Sequence, residues 1–474
     1  MKLHTSSQNV SEPSSQTFDL IIIGSGPGGY VAAERAAGAG QRVLLIEKEK
    51  IGGVCLNWGC IPTKSLLNAS KTYHHALNSR NFGIIADNVR FDLAAAMKWK
   101  EKTITHLQQG ITSLMKKHTV QVLYGEAILR NAHTVQVNNT SFQARNVIIA
   151  SGSSAVIPPI QGVDQDHVLT NRGVITIDTL PKRVAIIGGG IIGLEFASFF
   201  SGLGKDVEIF EVLDEIAPVM DREMAGLLRK AMPQVRFHLQ TRVENIEGGR
   251  LWYSHLNEKS EKSEKSEQNT GKTTGQSIDN VDMVILATGR RANIQNIGLE
   301  AARIDTDKNG IIVNEQMQTN VPGVYAIGDV TGRSLLAHAA SRMAEVAVNS
   351  ILGHKDRMRY GAIPWAVYTM PEAAGCGLSE QEALKQGRKI RIARYDYRAN
   401  GRALAEGSEG QAKIIVDECS EKILGIHLMG SYATENIFAA SIIIENELRV
   451  RELKDIVFPH PTVSEALREA LFRL

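Results

Sequence analysis

Cys55 and Cys60 lie in the string Gly52-Gly-Val-Cys-Leu-Asn-Trp-Gly-Cys-Ile-Pro-Thr-Lys64. A regular helix would set these two residues about 7.5 Å apart along its axis, beyond the usual disulfide Cα spacing of about 4.4–6.8 Å. A bridge therefore needs a turn or a distorted helical start, and Gly52, Gly53, Gly59 and Pro62 are suitable breakers. So small a loop adds little chain-entropy stabilisation, which points to a redox purpose. The competing reading is two ordinary buried thiols. A second candidate is Phe458-Pro-His460-Pro-Thr-Val-Ser-Glu465, where an acid follows a histidine at close range. An imidazole oriented by a carboxylate can act as a base on thiols near neutral pH, although a histidine taken alone is more often an ordinary surface or core residue. His74 and His75 show no metal spacing and read as helix surface. Cys376 and Cys419 stand alone and read as packing residues. No metal site is expected.

Two repeated units frame these residues. Phe18-Asp-Leu-Ile-Ile-Ile23 is an apolar run suited to a buried parallel strand. It opens into Gly24-Ser-Gly26-Pro-Gly-Gly29, an Ala-rich helical stretch, and a second strand, Arg42-Val-Leu-Leu-Ile46. The order recurs with Arg183 to Ile187, then Gly188-Gly-Gly190-Ile-Ile-Gly193, a helix to about Leu203, and a strand from Asp206 to Phe210. Glu47 and Glu211 end the second strands at the same distance from Gly29 and Gly193. This is an internal duplication of a βαβ dinucleotide-binding unit. Its glycines let a pyrophosphate approach the backbone, and the helix N-terminus offers N–H groups to it. Glu47 and Glu211 would accept hydrogen bonds from ribose hydroxyls. A carboxylate at 211, followed by Asp214 and Glu215 rather than an arginine, disfavours a 2′-phosphate, so NAD is expected over NADP. Val147-Ile-Ile-Ala-Ser-Gly152 and Val284-Ile-Leu-Ala-Thr-Gly289 also echo each other, as strands ending in small residues that permit close backbone approach.

The 474 residues suffice for two to four domains. Hydrophobic content of 43%, charged content of 22% and 42 glycines fit a globular α/β chain. Lys and Arg total 53 against 51 acidic residues, a formal net charge of +2, which gives no electrostatic case for nucleic acid or a membrane surface. No apolar run has the length of about 18 residues that a membrane span needs. Residues 1–17 lack the apolar core of a signal peptide and the arginines of a transit peptide, and read as a polar, disordered tail. Four cysteines make no secreted disulfide scaffold, so a cytoplasmic location is expected. Residues 257–277, with Glu-Lys-Ser repeated, read as a solvated surface insertion. From about residue 355, strands at Ala412–Val416 and Ile423–Leu428 and helices at Glu435–Asn446 and Ser464–Phe472 predict a separate α+β domain.

The combination resembles the flavin-dependent pyridine nucleotide–disulfide oxidoreductases along nearly the whole chain, from about Phe18 to Leu474. The family's redox motif matches at Gly52-Gly53, Cys55, Asn57, Gly59-Cys60 and Pro62-Thr63-Lys64. Its second flavin motif matches Val324-Tyr-Ala-Ile-Gly-Asp329, and its C-terminal motif matches His460-Pro-Thr-Val-Ser-Glu465. Within the family the chain is most similar to the dihydrolipoamide-oxidising members. The resemblance implies two nested Rossmann-like dinucleotide-binding domains plus a C-terminal α+β dimerisation domain. Their expected bounds are 18–155 for FAD, 156–281 for NAD, 282–354 completing the FAD domain, and 355–474 for the interface.

It also implies roles. Gly24, Gly26, Gly29 and Glu47 would bind FAD, with Ala127 on its adenine side, Asp329 on the ribityl or pyrophosphate region and Ala337 near the flavin ring. Lys64 would lie by the flavin and pair with Glu195. Gly188, Gly190, Gly193, Glu211, Val243 and Gly289 would hold NAD. Cys55 and Cys60 would be the redox disulfide, and His460 with Glu465 the base, contributed across a homodimer. The expected macromolecular partners are lipoyl domains of a 2-oxo acid dehydrogenase or glycine-cleavage assembly.

Trp58 and Val54 depart from the smaller or polar residues common in the family's redox motif, and Ser151 stands for its usual Thr. Among relatives, a mercuric reductase would need a further cysteine pair near Leu471-Phe-Arg-Leu474, which has none. A glutathione reductase would need NADPH, which Glu211 opposes, and a transhydrogenase would lack one of the two cysteines. A non-catalytic flavoprotein redox sensor is the reading from a different class.

Overall fold

A computed structural model describes residues 16–256 and 275–474. The expected tail, except Gln16 and Thr17, and most of the Glu-Lys-Ser insertion lie outside the described residues. Two of their edges differ from expectation. Strand β1 (Gln16–Ile23) begins at Gln16, because backbone pairing with Thr140–Ile149 continues through Gln16↔Phe142 and Thr17↔Gln143 whatever the side chains are. At the other edge, residues 276 and 277 are not loop. Gln276–Ile278 forms a strand on Arg250–His255, with Leu251 opposite Ile278.

The chain divides into two compact units. The first comprises the chain to Cys55 with Leu107–Ser153 and Arg291–Met358. Its sheet runs Gln121–Tyr124, β2 (Val43–Glu47), β1, Thr140–Ile149, Thr134–Val137 and Ala127–Asn131, with Val324–Ala326 also on Thr140–Ile149. The strands beside β1 are parallel, which explains why Leu20 to Ile22 and Val43 to Ile46 are apolar and buried with no alternation. Helix α1 (Pro27–Gly38) follows β1 directly and buries its alanines 32, 33 and 36.

The second unit comprises Leu56–His106, Ser154–Arg290 and Arg359–Leu474. A parallel sheet orders Val235–His238, Asp206–Phe210, Arg183–Ile187, Met283–Leu286 and Val168–Leu169. It repeats the first unit's plan, with helix Ile191–Gly202 in the place of α1. An antiparallel sheet of five strands, Trp365–Val367, Ala373–Gly377, Ile423–Met429, Gln411–Asp417 and Ile390–Asp396, follows in the C-terminal stretch. Helix Ala433–Glu445 packs against this sheet. One core cluster of this unit joins Leu66, Ile186, Phe196 and Ile209 to Trp365 and Met429.

Candidate functional site

The two cysteines occupy a broken helix. Helix α2 (Gly53–Trp58) stops at Trp58, and α3 (Cys60–Leu77) starts at Cys60. Gly59 between them has φ −136° and ψ −107°, outside the helical region. The break supplies the turn that the spacing demands, and Cys55 and Cys60 are joined in a disulfide. Both are partly exposed. Cys376 is buried as a packing residue, and that burial pushes its thiol up to about 11, which makes it unreactive at neutral pH; Cys419, expected to pack likewise, is instead exposed.

The glycine fingerprints share one geometry. Gly24 has φ +102°, and a Cβ there would lie 2.3 Å from the Ala150 carbonyl oxygen. Gly188 has φ +109° and would meet the Ala287 carbonyl oxygen at 2.4 Å. The last glycines are closed by their own turns: a Cβ on Gly29 would lie 1.8 Å from Gly24 O, and one on Gly193 would lie 2.1 Å from Gly188 O. The middle glycines, Gly26 and Gly190, face open space. Each is also the residue just before its helix, with no side-chain cap. Backbone amides at an uncapped helix start beside empty space fit a dinucleotide pyrophosphate.

The paired acids match as closely. Glu47 accepts from the Ser25 amide at 3.0 Å and the Glu49 amide at 2.8 Å. Glu211 accepts from the Gly189 amide at 2.6 Å and the Leu213 amide at 2.8 Å. Each carboxylate therefore holds its turn rigid. With about four lone-pair sites it still has capacity for a ribose hydroxyl. Beyond Glu211, Asp214 pairs with Arg222 at 2.6 Å and Glu215 with Arg229 at 2.9 Å, so both arginines have carboxylate partners. Gly289, at φ +112°, has open space at its Cβ position, whereas Val243 is buried in a strand facing the core.

Lys64 and Glu195, distant in sequence, meet in the second unit. Lys64 Nζ lies 2.8 Å from both Glu195 oxygens. The Tyr368 amide donates to the same carboxylate at 3.3 Å, and the Tyr368 ring lies 4.6 Å from Nζ. A cavity of about 240 Å³, lined by Lys64, Leu67, Lys71, Tyr368 and Met370 among others, opens beside the pair. In the first unit, Asp329 sits in the single turn Gly328–Thr331 and accepts from Ser153 Oγ at 2.5 Å. Ala337 begins helix Ala337–Ile351, and Ala127 is buried at the start of Ala127–Asn131.

His460 and Glu465 also come together. His460 Nδ1 lies 2.9 Å from Glu465 Oε1, and the Thr462 amide donates to Oε2 at 2.9 Å. The Thr462 amide first, and His460 second, hold the Glu465 carboxyl below the usual range, so it stays ionised as an acceptor. The His460 side chain is 79% exposed. His74 and His75 lie in the last turn of α3. Among the described residues, no group of three or more His, Cys, Asp or Glu side chains is arranged to hold a metal, and no helix is long and apolar enough to cross a membrane.

Sequence reasoning missed several residues. Ser25 lay in plain view inside the first fingerprint, and its hydroxyl binds Glu47 at 2.6 Å. Tyr368, Asn171 and Arg172 carried no local signal. Nor did the buried Lys413, which lies within 2.8 Å of Asp221, Glu223 and Glu380 carboxylates.

Comparison with known proteins places this geometry. Residues 18–344 match the model of the pyridine nucleotide-disulphide oxidoreductases, and residues 363–471 match that family's dimerisation domain. A dihydrolipoyl dehydrogenase of Thermus scotoductus is 38% identical, over 96% of this chain and 97% of that protein. One from Chlamydia pneumoniae is 36% identical over 96% of both, and the mitochondrial one of Pisum sativum is 36% identical over 95% and 90%. Among solved structures, the HOCl-induced flavoprotein disulfide reductase RclA of Escherichia coli superposes with a TM-score of 0.83 at 26% identity, covering 96% of this chain and 99% of that one.

Proposed function

The chain belongs to the pyridine nucleotide–disulphide oxidoreductase family, and on that premise we propose that it is a dihydrolipoamide dehydrogenase, oxidising protein-bound dihydrolipoamide with NAD as acceptor. The observation that carries the reading is the closed Cys55–Cys60 disulfide at the helix break. His460, whose Nδ1 is engaged by Glu465, keeps Nε2 to take a proton from a substrate thiol. The thiolate so formed attacks Cys55 Sγ, the sulfur–sulfur bond breaks, and Cys60 leaves as a thiolate. The second substrate sulfur, deprotonated in turn, attacks its partner in the mixed disulfide. This releases the cyclic disulfide product and leaves two electrons on the cysteine pair.

FAD, when bound, would carry those electrons onward to NAD as a hydride. Gly24, Gly26, Gly29, Glu47, Ala127, Asp329 and Ala337 would hold it, with Lys64 kept in place by Glu195 and Tyr368. Gly188, Gly190, Gly193, Glu211, Val243 and Gly289 would hold NAD. The exposed His460 is read as serving the disulfide of a second copy of the chain, which makes the working form a homodimer; the matched dimerisation domain supports this. The reading extends to lipoyl domains of a 2-oxo acid dehydrogenase or glycine-cleavage assembly as partners, in the cytoplasm. Steady-state turnover of dihydrolipoamide with NAD, against glutathione disulfide with NADPH, tests it. Appreciable turnover only with the second pair would overturn the assignment.

A further inference from the structure

Three features have no part in the mechanism above, and they converge on one short segment of the second unit. Lys100 is a lysine only 2% exposed, and its ammonium donates to the Ile175 carbonyl while pairing with Glu101 at 2.9 Å. Val174 and Ile175 are buried in the same core cluster against which Trp58 packs. The single-turn helix Asn171–Val174, directly after strand Val168–Leu169, is thus fixed by core packing and by a buried cation. From this fixed base two side chains reach the peptide between the cysteines. Asn171, itself buried, donates from Nδ2 to the Trp58 carbonyl at 2.6 Å. The Arg172 guanidinium lies 4.0 Å from the centre of the Trp58 ring.

Trp58 is the last residue of α2, and the residue four positions on is Pro62, whose nitrogen has no hydrogen to give the Trp58 carbonyl. Asn171 supplies the donor. While the disulfide is closed, the covalent bond holds the break at Gly59. Once it is reduced, Gly59 and Pro62 still keep the two helices distinct, but no bond between the sulfurs fixes the approach of Cys55 to Cys60. A contact that holds Trp58 in place keeps the two thiols at bonding distance and so favours reclosure.

We propose that residues 171–175 are a brace for the redox loop, in which Asn171 and Arg172 act as positioning residues that set the Cys55–Cys60 disulfide–dithiol equilibrium. The proposal rests on the reading that this pair cycles between the two states. It deepens that reading by assigning residues that tune the pair.

The test uses the holoprotein as parent, Asn171→Ala, Arg172→Ala and Arg172→Lys. Each is equilibrated with fixed ratios of reduced to oxidised dithiothreitol. The reagent gives two electrons and two protons and closes to its cyclic disulfide, while Cys55–Cys60 opens to two thiols. Alkylation followed by mass spectrometry of the peptide carrying both cysteines counts those thiols. Asn171→Ala is expected to move the equilibrium about tenfold toward the dithiol, because a helix-end carbonyl loses its donor. Tenfold corresponds to about 30 mV for a two-electron couple. Arg172→Ala is expected to move it about threefold in the same direction, as for loss of a partly exposed cation–π contact, and Arg172→Lys less.

Constants within twofold of the parent for Asn171→Ala, together with no ordering among the Arg172 variants, would overturn the brace. So would a lowered melting temperature with an unmoved constant. Arg172 is exposed, so its variants should fold and carry the test even if Asn171→Ala does not accumulate. A shifted equilibrium in a protein that proves not to oxidise dihydrolipoamide would keep the brace and discard only the substrate.

Discussion

Replacing Glu211 by glutamine changes one atom and should change the nucleotide the enzyme prefers. The Glu211 side chain is largely buried, and its two oxygens serve two different amides, Gly189 N at 2.6 Å and Leu213 N at 2.8 Å. Glutamine has a single carbonyl oxygen, so one amide would face an NH₂ group instead. Losing a hydrogen bond to a charged acceptor costs about 1.5–3 kcal/mol. If binding must restore the loosened turn, NAD affinity falls roughly 10- to 100-fold. For NADP the loss is offset. A carboxylate about 6 Å from a phosphate charge, at an effective dielectric of about 20, repels it by about 3 kcal/mol, and the substitution removes that term. Arg222 and Arg229 remain paired with Asp214 and Glu215, so neither is released to bind the phosphate. The ratio of kcat/KM for NAD over NADP should therefore fall about 100-fold, mostly through KM. The duplicated unit supplies a control. Glu47→Gln disrupts the same pair of bonds, to Ser25 and Glu49. It should weaken retention of flavin while leaving the NAD:NADP ratio of the loaded fraction unchanged. A Glu211→Gln ratio within threefold of the parent would refute the reasoning, as would an equal shift in Glu47→Gln.

Three further outcomes are expected. His460→Gln should slow dihydrolipoamide oxidation by about 10²- to 10⁴-fold, the usual contribution of a positioned base, while NADH oxidation by an artificial quinone acceptor stays near parent; stopped-flow rates of the two half-reactions check this. Lys413→Met should destabilise the protein by about 3–5 kcal/mol, because Asp221 is 0% exposed and would keep its charge without a counter-ion; denaturant unfolding measures it, and adding Asp221→Asn should recover part of the loss. Acid should destabilise in two stages. Burial holds the His427 imidazole below its ordinary value of 6.5, so stability is lost as pH falls from there toward its folded value. For Asp221 burial alone would raise the carboxyl, but hydrogen bonds from Lys413 and the Glu380 amide hold it below 3.8; its contribution is full above that pH and is lost as pH falls through the folded value. Melting temperature should therefore decline in the parent as pH falls below 6.5, and decline less in His427→Leu.

What could be read in advance were features whose cause is local. Arg183–Ile187 and Asp206–Phe210 are strands over the residues expected, because an apolar run meeting a glycine turn has few alternatives. The break between the cysteines followed from the length of a disulfide, and Gly59 provides it. What could not be read was set by contacts between residues remote in sequence. Lys413 stands at an ordinary position of strand Gln411–Asp417, and only packing reveals that three carboxylates surround it. Tyr368 closes over Lys64 because a C-terminal strand ends beside α3, which no periodicity encodes. The first strand's start at Gln16 escaped notice because backbone pairing is blind to side-chain polarity.

The two fingerprints share the glycines at their first, third and sixth positions and the acid that closes them, differ at the other three, and the difference at the second bears on the redox loop. Where the second unit has Gly189, the first has Ser25. The Ser25 hydroxyl gives its proton to Glu47 at 2.6 Å and accepts from the Gly52 amide at 3.2 Å, while the Ser25 carbonyl accepts from the same amide at 3.1 Å. Gly53 then passes so close that a Cβ on it would lie 2.6 Å from Gly26 Cα, at a φ of +61° that disfavours any larger residue. The glycine turn, its acid and the residues entering α2 are thus one hydrogen-bonded piece. Gly189 has no side chain to make the equivalent bonds, and a Cβ there would already crowd Glu211 Oε2 at 3.2 Å. A duplicated cradle that gains one hydroxyl can fix the start of a cysteine-bearing helix, whereas its copy stays a simple turn.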